Sequence, residues 1–287
     1  MRLRFRIGRL FELTVSKLSS SPKLPERLHG NRGAYCGEQI DVVRVIGLIH
    51  TAAEERGWAI HELTRQAEYS VWVMARKPSE SAGPPRRIYI STGIHGDEPA
   101  GPLAALQLVH ENRWPLNSEI TLVPCLNPSG IVGNLRVGPE GIDYNRDYRD
   151  PKTSLVRSHL AWLQRQARFD LALLLHEDWE ADGFYLYELN PLGKSSVADD
   201  VIRAVADLCP ILEAKKADDW PASNGVVRPN VDPAKRPDWP EALYLAQKKA
   251  DLCYTFEAPS DYALPARVAA LVMAVNKAIQ QIASVSR

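Results

Sequence analysis

Two rhythms of apolar residues alternate along the chain. Over 39–56 the positions Ile40, Val43, Ile46, Ile49 and Ala53 recur at helical spacing, and Gly57 stands where that helix should stop. Residues 58–63 and 70–75 show strand-length patterns and predict a hairpin pair. Residues 87–92 predict a strand that ends at Gly93 and gives way to a helix over 101–112. Further strands are expected at 120–126, 170–175 and 252–256, and further helices at 153–167, 197–209 and 265–282. The run 170–175 is apolar throughout, as a central strand covered on both faces requires.

Strands that alternate with helices predict an α/β fold, with a mixed, mostly parallel sheet and helices on both faces. Residues 1–38, with Ser19-Ser20-Ser21-Pro22 and Pro25, are expected to be an N-terminal extension, and residues 39–287 a single domain. Two stretches, 127–152 and 217–240, are rich in loop-forming residues and lack either rhythm. Irregular segments that long inside a compact domain are more often functional than idle.

Composition narrows the function classes. Hydrophobic residues make up 45% of the 287 positions, enough for a sizeable core. Lys plus Arg and Asp plus Glu are 35 each, which supports neither a nucleic-acid nor a polybasic membrane role. Cys36, Cys125, Cys209 and Cys253 are scattered and form no C-x-x-C pair, so they are expected to be reduced thiols in a cytoplasmic protein. The basic, alternating start, residues 1–10, is expected to be a strand or loose extension. The apolar stretch after it holds Glu12 and is a poor export signal.

The chemistry gathers at strand ends. His95 and Glu98 lie just past one expected strand, His176 at the end of a second and Glu257 at the end of a third. Ligands of open α/β sheets bind beyond the carboxyl ends of strands. Two histidines and a glutamate leave one position of a tetrahedral zinc open, the pattern of a catalytic site. Glu257 is then the candidate base for a water molecule acidified there. His29, His50, His61, His110 and His159 fit no ligand spacing.

The ordered set His95-x-x-Glu98, Asn127-Pro-Ser-Gly130, Asp143-Tyr-Asn-Arg146, His176 and Glu257 resembles the zinc carboxypeptidase family of the carboxypeptidase A type. The deacylase branch, with succinylglutamate desuccinylase and aspartoacylase, is a close relative by its H-G-x-E and N-R elements. The resemblance spans about residues 87 to 260. It implies one zinc per chain on His95, Glu98 and His176, and Asp143 as the partner of the second ring nitrogen of His95. It implies that Arg136 stabilises the oxyanion, that Asn145 and Arg146 clamp a substrate carboxylate, and that Glu257 is general base and then acid. The implied substrate is a small peptide or an acylated amino acid with a free carboxylate, cleaved at the neighbouring amide.

This chain departs from the family in three places. Ser129 stands where Asp is usual. His176 is followed by Glu177-Asp178-Trp179-Glu180, an acidic segment expected to be a solvated rim. Tyr244 is the nearest candidate for the family's substrate-covering tyrosine, with a shorter spacing to Glu257. Arg228, Lys235 and Arg236 in the second irregular stretch are expected to cover the site and favour acidic substrates.

Overall fold

The computed structural model describes residues 24–79 and 84–284. The expected strand or extension at 1–10 lies outside them. In chain order come α1 (Val42–Glu55), β1 (Ala59–Gln66), β2 (Tyr69–Arg76), β3 (Arg86–Thr92), α2 (Ala100–Glu111) and β4 (Ser118–Val123). The first irregular stretch holds α3 (Pro128–Gly133) and a 3-10 turn at Tyr144–Arg146. Then follow α4 (Ser154–Arg165), β5 (Phe169–Asp178), β6 (Tyr185–Leu189) and α5 (Ala198–Val205). Short strands β7 (Lys216–Ala217), β8 (Trp220–Ser223) and β9 (Val226–Val227) occupy the second irregular stretch. The chain closes with α6 (Glu241–Lys248), β10 (Ala250–Pro259) and α7 (Leu264–Ser284).

Local chemistry sets the helix starts. The Asp41 side chain accepts from Arg44 N–H at the head of α1, and Thr153 does the same for Val156 at α4. Gly57, with φ of 70°, ends the first helix as expected.

The strands form one sheet in the order β1-β2-β4-β3-β5-β10-β6-β9-β8-β7. The expectation of a mostly parallel sheet is corrected here. Only β3/β4, β3/β5, β5/β10 and β6/β9 are parallel. β1/β2, β2/β4, β10/β6, β7/β8 and β8/β9 are antiparallel. For β1/β2, β7/β8 and β8/β9 the reason is connection length, since strands joined by two residues can pair only antiparallel, whereas parallel neighbours need a crossover. Asn224 and Gly225, both at positive φ, make such a two-residue turn between β8 and β9. The parallel block β4-β3-β5-β10 forms the middle of the sheet.

Side chains alternate between two cores. Ile88, Ile90, Leu171 and Leu173 pack on one face with Ala104 and Leu108 of α2 and Leu271 and Val275 of α7. Tyr89, Ala172 and Leu174 pack on the other with Leu155 and Leu163 of α4 and Leu245 of α6. Burying each such aliphatic side chain contributes about 1.5–3 kcal/mol, which keeps the central strands in register. Residues 24–38 lie against the domain, where Arg27 Nε and Gly30 N–H both donate to the Asp261 carboxylate at 2.8 Å.

A candidate metal centre at the carboxyl ends of the central strands

Sheet register brings the site together. Glu257 on β10 pairs directly with His176 on β5, and Thr92 at the end of β3 pairs with Leu175. The chain leaves β3 through Gly93, whose φ of 61° needs no side chain. His95 and Glu98 follow before α2 begins. Gly96 lets this turn press on the Asn127-Pro-Ser-Gly130 segment, since a Cβ there would overlap the Gly130 carbonyl group. Asn127 caps α3 by accepting from Gly130 N–H at 3.0 Å, and its own N–H donates to Gly93 O at 2.7 Å. The N-P-S-G segment is thus the bed on which the His-Gly-x-Glu turn rests.

His95, Glu98 and His176 are all buried, and one ligand atom from each lies within 4.8 Å of the others. His95 Nδ1 is 2.5 Å from Glu98 Oε1, and His176 Nδ1 is 2.9 Å from Glu98 Oε2. The ring centres are 5.0 Å apart. Tetrahedral zinc with bonds of about 2.1 Å separates its donors by about 3.4 Å, so small side-chain adjustments suffice. Two imidazoles and a carboxylate are also the chemistry zinc favours. The residues therefore fit such an ion.

Electrostatics agree with that geometry. Burial opposes ionisation of Glu98, but His95 and His176 outweigh it and hold the carboxyl well below the usual range. Burial likewise works against charge on Asp143, and His95 and Arg136 outweigh it, so its carboxyl is also held low. For His95, burial is overcome by Glu98 and Asp143, which raise its proton affinity. Glu257 is raised well above the carboxylate range, first by burial and then by the nearby Glu98 and Asp178 carboxylates.

The other expected residues gather around this point. Asp143 Oδ1 lies 3.2 Å from His95 Nε2, and Oδ2 accepts from Arg136 Nε at 3.1 Å. Arg136 also reaches within 3.7 Å of Glu98. Asn145 and Arg146 sit on the 3-10 turn that Asp143 caps. Asn145 Oδ1 accepts from Glu241 N–H at 2.9 Å, so a carboxylate could be met only by its Nδ2 hydrogens. Arg146 is exposed, 3.7 Å from Asp238. All except Asp143 line one cleft of about 940 Å³.

Several expectations about the surroundings change. Glu177 is buried in an ion pair with Arg267 and is not part of a solvated rim. Tyr244 is buried against Tyr148 and does not line the cleft, so it is no lid tyrosine. Lys235 and Arg236 line the cleft, as expected of residues that cover it, whereas Arg228 does not; the three lie near Asp232, Asp238 and Glu188 respectively. Pattern reading did not single out Tyr185 and Tyr187 on β6 or Trp220 on β8, which also line the cleft. The run Tyr-Leu-Tyr-Glu-Leu at 185–189, rich in strand-favouring aromatics, was the available signal for β6. The buried Glu241 carried no signal at all.

Residues 84–197 match the profile of the succinylglutamate desuccinylase/aspartoacylase catalytic domain. No curated protein matches the sequence. Among solved structures, a candidate metallopeptidase from Shewanella amazonensis is 22% identical, with a TM-score of 0.73 over 84% of this chain and 93% of that one. A metallo-carboxypeptidase from Burkholderia cenocepacia is 15% identical, with a TM-score of 0.67 over 85% of this chain and 69% of that one. Carboxypeptidase A from Helicoverpa armigera is 13% identical, with a TM-score of 0.60 over 85% of this chain and 74% of that one. At such identities the structures show a shared fold. The fold is carboxypeptidase A-like, and the chain resembles the zinc carboxypeptidases near their desuccinylase/aspartoacylase branch. It is a hydrolytic enzyme. Among the described residues no helix is long and apolar enough to cross a membrane, and all four cysteines are free.

Proposed function

We propose that the protein is a zinc-dependent hydrolase that cleaves an amide bond next to a free carboxylate, in the manner of a carboxypeptidase. The observation that carries this reading is the convergence of His95, Glu98 and His176 with Glu257 on the neighbouring strand position. His95, Glu98 and His176 would hold one zinc ion, which when bound supplies a Lewis acid that acidifies water.

The chain's own groups divide the remaining work. Glu257 takes the proton of the attacking water and returns it to the leaving amine. Arg136, held by Asp143, donates to the oxygen that gains charge at the scissile carbon. Arg146 offers a planar fork to the substrate carboxylate, with the Asn145 amide beside it. With zinc bound, Asp143 would accept from His95 Nε2–H, 3.2 Å away, and so direct the Nδ1 lone pair to the metal.

The deciding experiment is Glu257→Gln in zinc-loaded protein. Metal stoichiometry should stay at one while turnover falls by about a thousandfold, the usual worth of a positioned acid-base group. A fully active variant would remove the mechanism.

A second reading, an N-acyl amino-acid deacylase using the same groups, is favoured by the family match over 84–197. C-terminal peptides assayed beside N-acyl amino acids separate the two. Turnover of the acyl amino acids alone would replace the peptidase reading.

A further inference from the structure

Glu177 follows His176 directly, yet its side chain enters the protein and not the cleft rim. It is 5% exposed. Oε1 accepts from the Ala100 N–H at 2.5 Å, at the first residue of α2 and two residues past Glu98. Oε2 accepts from Arg267 Nη1 on α7. One carboxylate therefore ties the end of the strand that carries His176 to the start of the helix behind Glu98. The positive end of that helix dipole adds to the attraction.

Arg267 is fully buried, and a cation there needs its partners. Besides Glu177 it has two, both from the segment before α1. Nη2 donates to Tyr35 Oη and to Glu38 Oε2, each at 3.0 Å, and the guanidinium carbon lies 5.2 Å from the centre of the Tyr35 ring. Tyr35 Oη in turn donates to Glu38 O at 2.9 Å. The same segment is anchored further back by Arg27 and Gly30 on Asp261.

We infer that Glu177 is a positioning residue for the metal centre: it sets the separation of Glu98 and His176, and Tyr35 and Glu38 hold it in place through Arg267. The inference rests on His95, Glu98 and His176 being the metal ligands. Its consequence is that zinc affinity depends on a segment that contributes no ligand. A charge pair serving stability alone would have no such effect.

The test uses the full-length protein, stripped of metal and titrated with zinc against a chromophoric chelator. Wild type, Tyr35→Phe, Glu177→Gln and the charge-neutral double variant Glu177→Gln/Arg267→Met are compared. Leu163→Ala, on the opposite face of the sheet, serves as a destabilised control. Folding is checked by circular dichroism. The zinc dissociation constant should rise about tenfold or more in Glu177→Gln and in the double variant, since loss of a group that orients ligands costs 10–100-fold. Tyr35→Phe should raise it about threefold, a fraction of that loss, because Arg267 keeps its other partners. Leu163→Ala should leave it unchanged.

Should Glu177→Gln fail to fold, the double variant decides, because removing a buried pair whole is tolerated far better than breaking it. Wild-type zinc affinity in the folded variants, or an equal loss in Leu163→Ala, would overturn the inference. Wild-type protein that takes up no stoichiometric zinc would instead overturn the metal-centre reading itself, and the inference with it.

Discussion

Replacing Glu241 by Gln should change how stability responds to pH, by an amount the structure sets. Glu241 is fully buried at the head of α6. Its carboxyl accepts from Tyr89 Oη at 2.7 Å and Ser91 Oγ at 3.0 Å, both on β3. His95, His176, Tyr148 and Cys253 also face it, and His159 lies behind Tyr89 at 3.0 Å. Burial dominates and pushes its pKa from 4.5 to about 7, against the opposing pull of the two hydroxyls and the two imidazoles.

At about 1.4 kcal/mol for each tenfold change in proton affinity, that rise corresponds to about 3 kcal/mol. The sign follows from proton counts. Between pH 4.5 and 7 the folded state keeps a proton on Glu241 that the unfolded chain has released. Stability therefore falls as pH rises through that window, and the full penalty applies above it. Gln is isosteric and uncharged, and can still meet both hydroxyls. The assay is urea unfolding of metal-free wild type and Glu241→Gln at pH steps from 4 to 8, with slopes compared to confirm a common unfolding transition. Relative to the variant, wild type should lose about 3 kcal/mol across the window. A difference that stays flat within about 0.5 kcal/mol would show that Glu241 is not held protonated by burial.

Other expectations follow from the same structure. Arg146→Ala should raise KM by about 10–100-fold, reflecting 1.5–3 kcal/mol for a hydrogen-bonded charge, with Arg146→Lys recovering only part. An unchanged KM would remove the carboxylate clamp. Asp143→Asn should weaken zinc binding by about 10–100-fold at equal folded fraction, measured by chelator competition. Leu173→Ala, in the fully buried middle of β5, should cost about 2–5 kcal/mol in denaturant unfolding. Gly96→Ala should disturb the metal turn through its overlap with Gly130, seen as lost zinc uptake, while the equally small Gly57→Ala leaves uptake intact.

Much of the architecture was legible because it follows from local pattern. The apolar run that became β5 and the helical spacing of α1 each bury one stripe or two faces, and that requirement shows directly in residue order. The strand-end residues His95, Glu98, His176 and Glu257 were legible for a related reason, since chemistry that interrupts an apolar strand has few structural explanations. The mostly parallel sheet was misjudged because the short connections around β6 to β9 lie in segments with no rhythm, although Asn224-Gly225 was a usable turn signal.

What the sequence by itself determined, then, is the identity of the groups and the strands that carry them, because periodicity and polarity are properties of neighbours in the chain. Only the tertiary structure decided which charges meet. Glu177 and Arg267 are 90 residues apart, and Tyr35 lies 232 residues from Arg267. Glu241 reaches Tyr89 across 152 residues. Partners at such separations are selected by packing and by the cost of leaving a buried charge alone, and that cost exists only once the chain has closed around it.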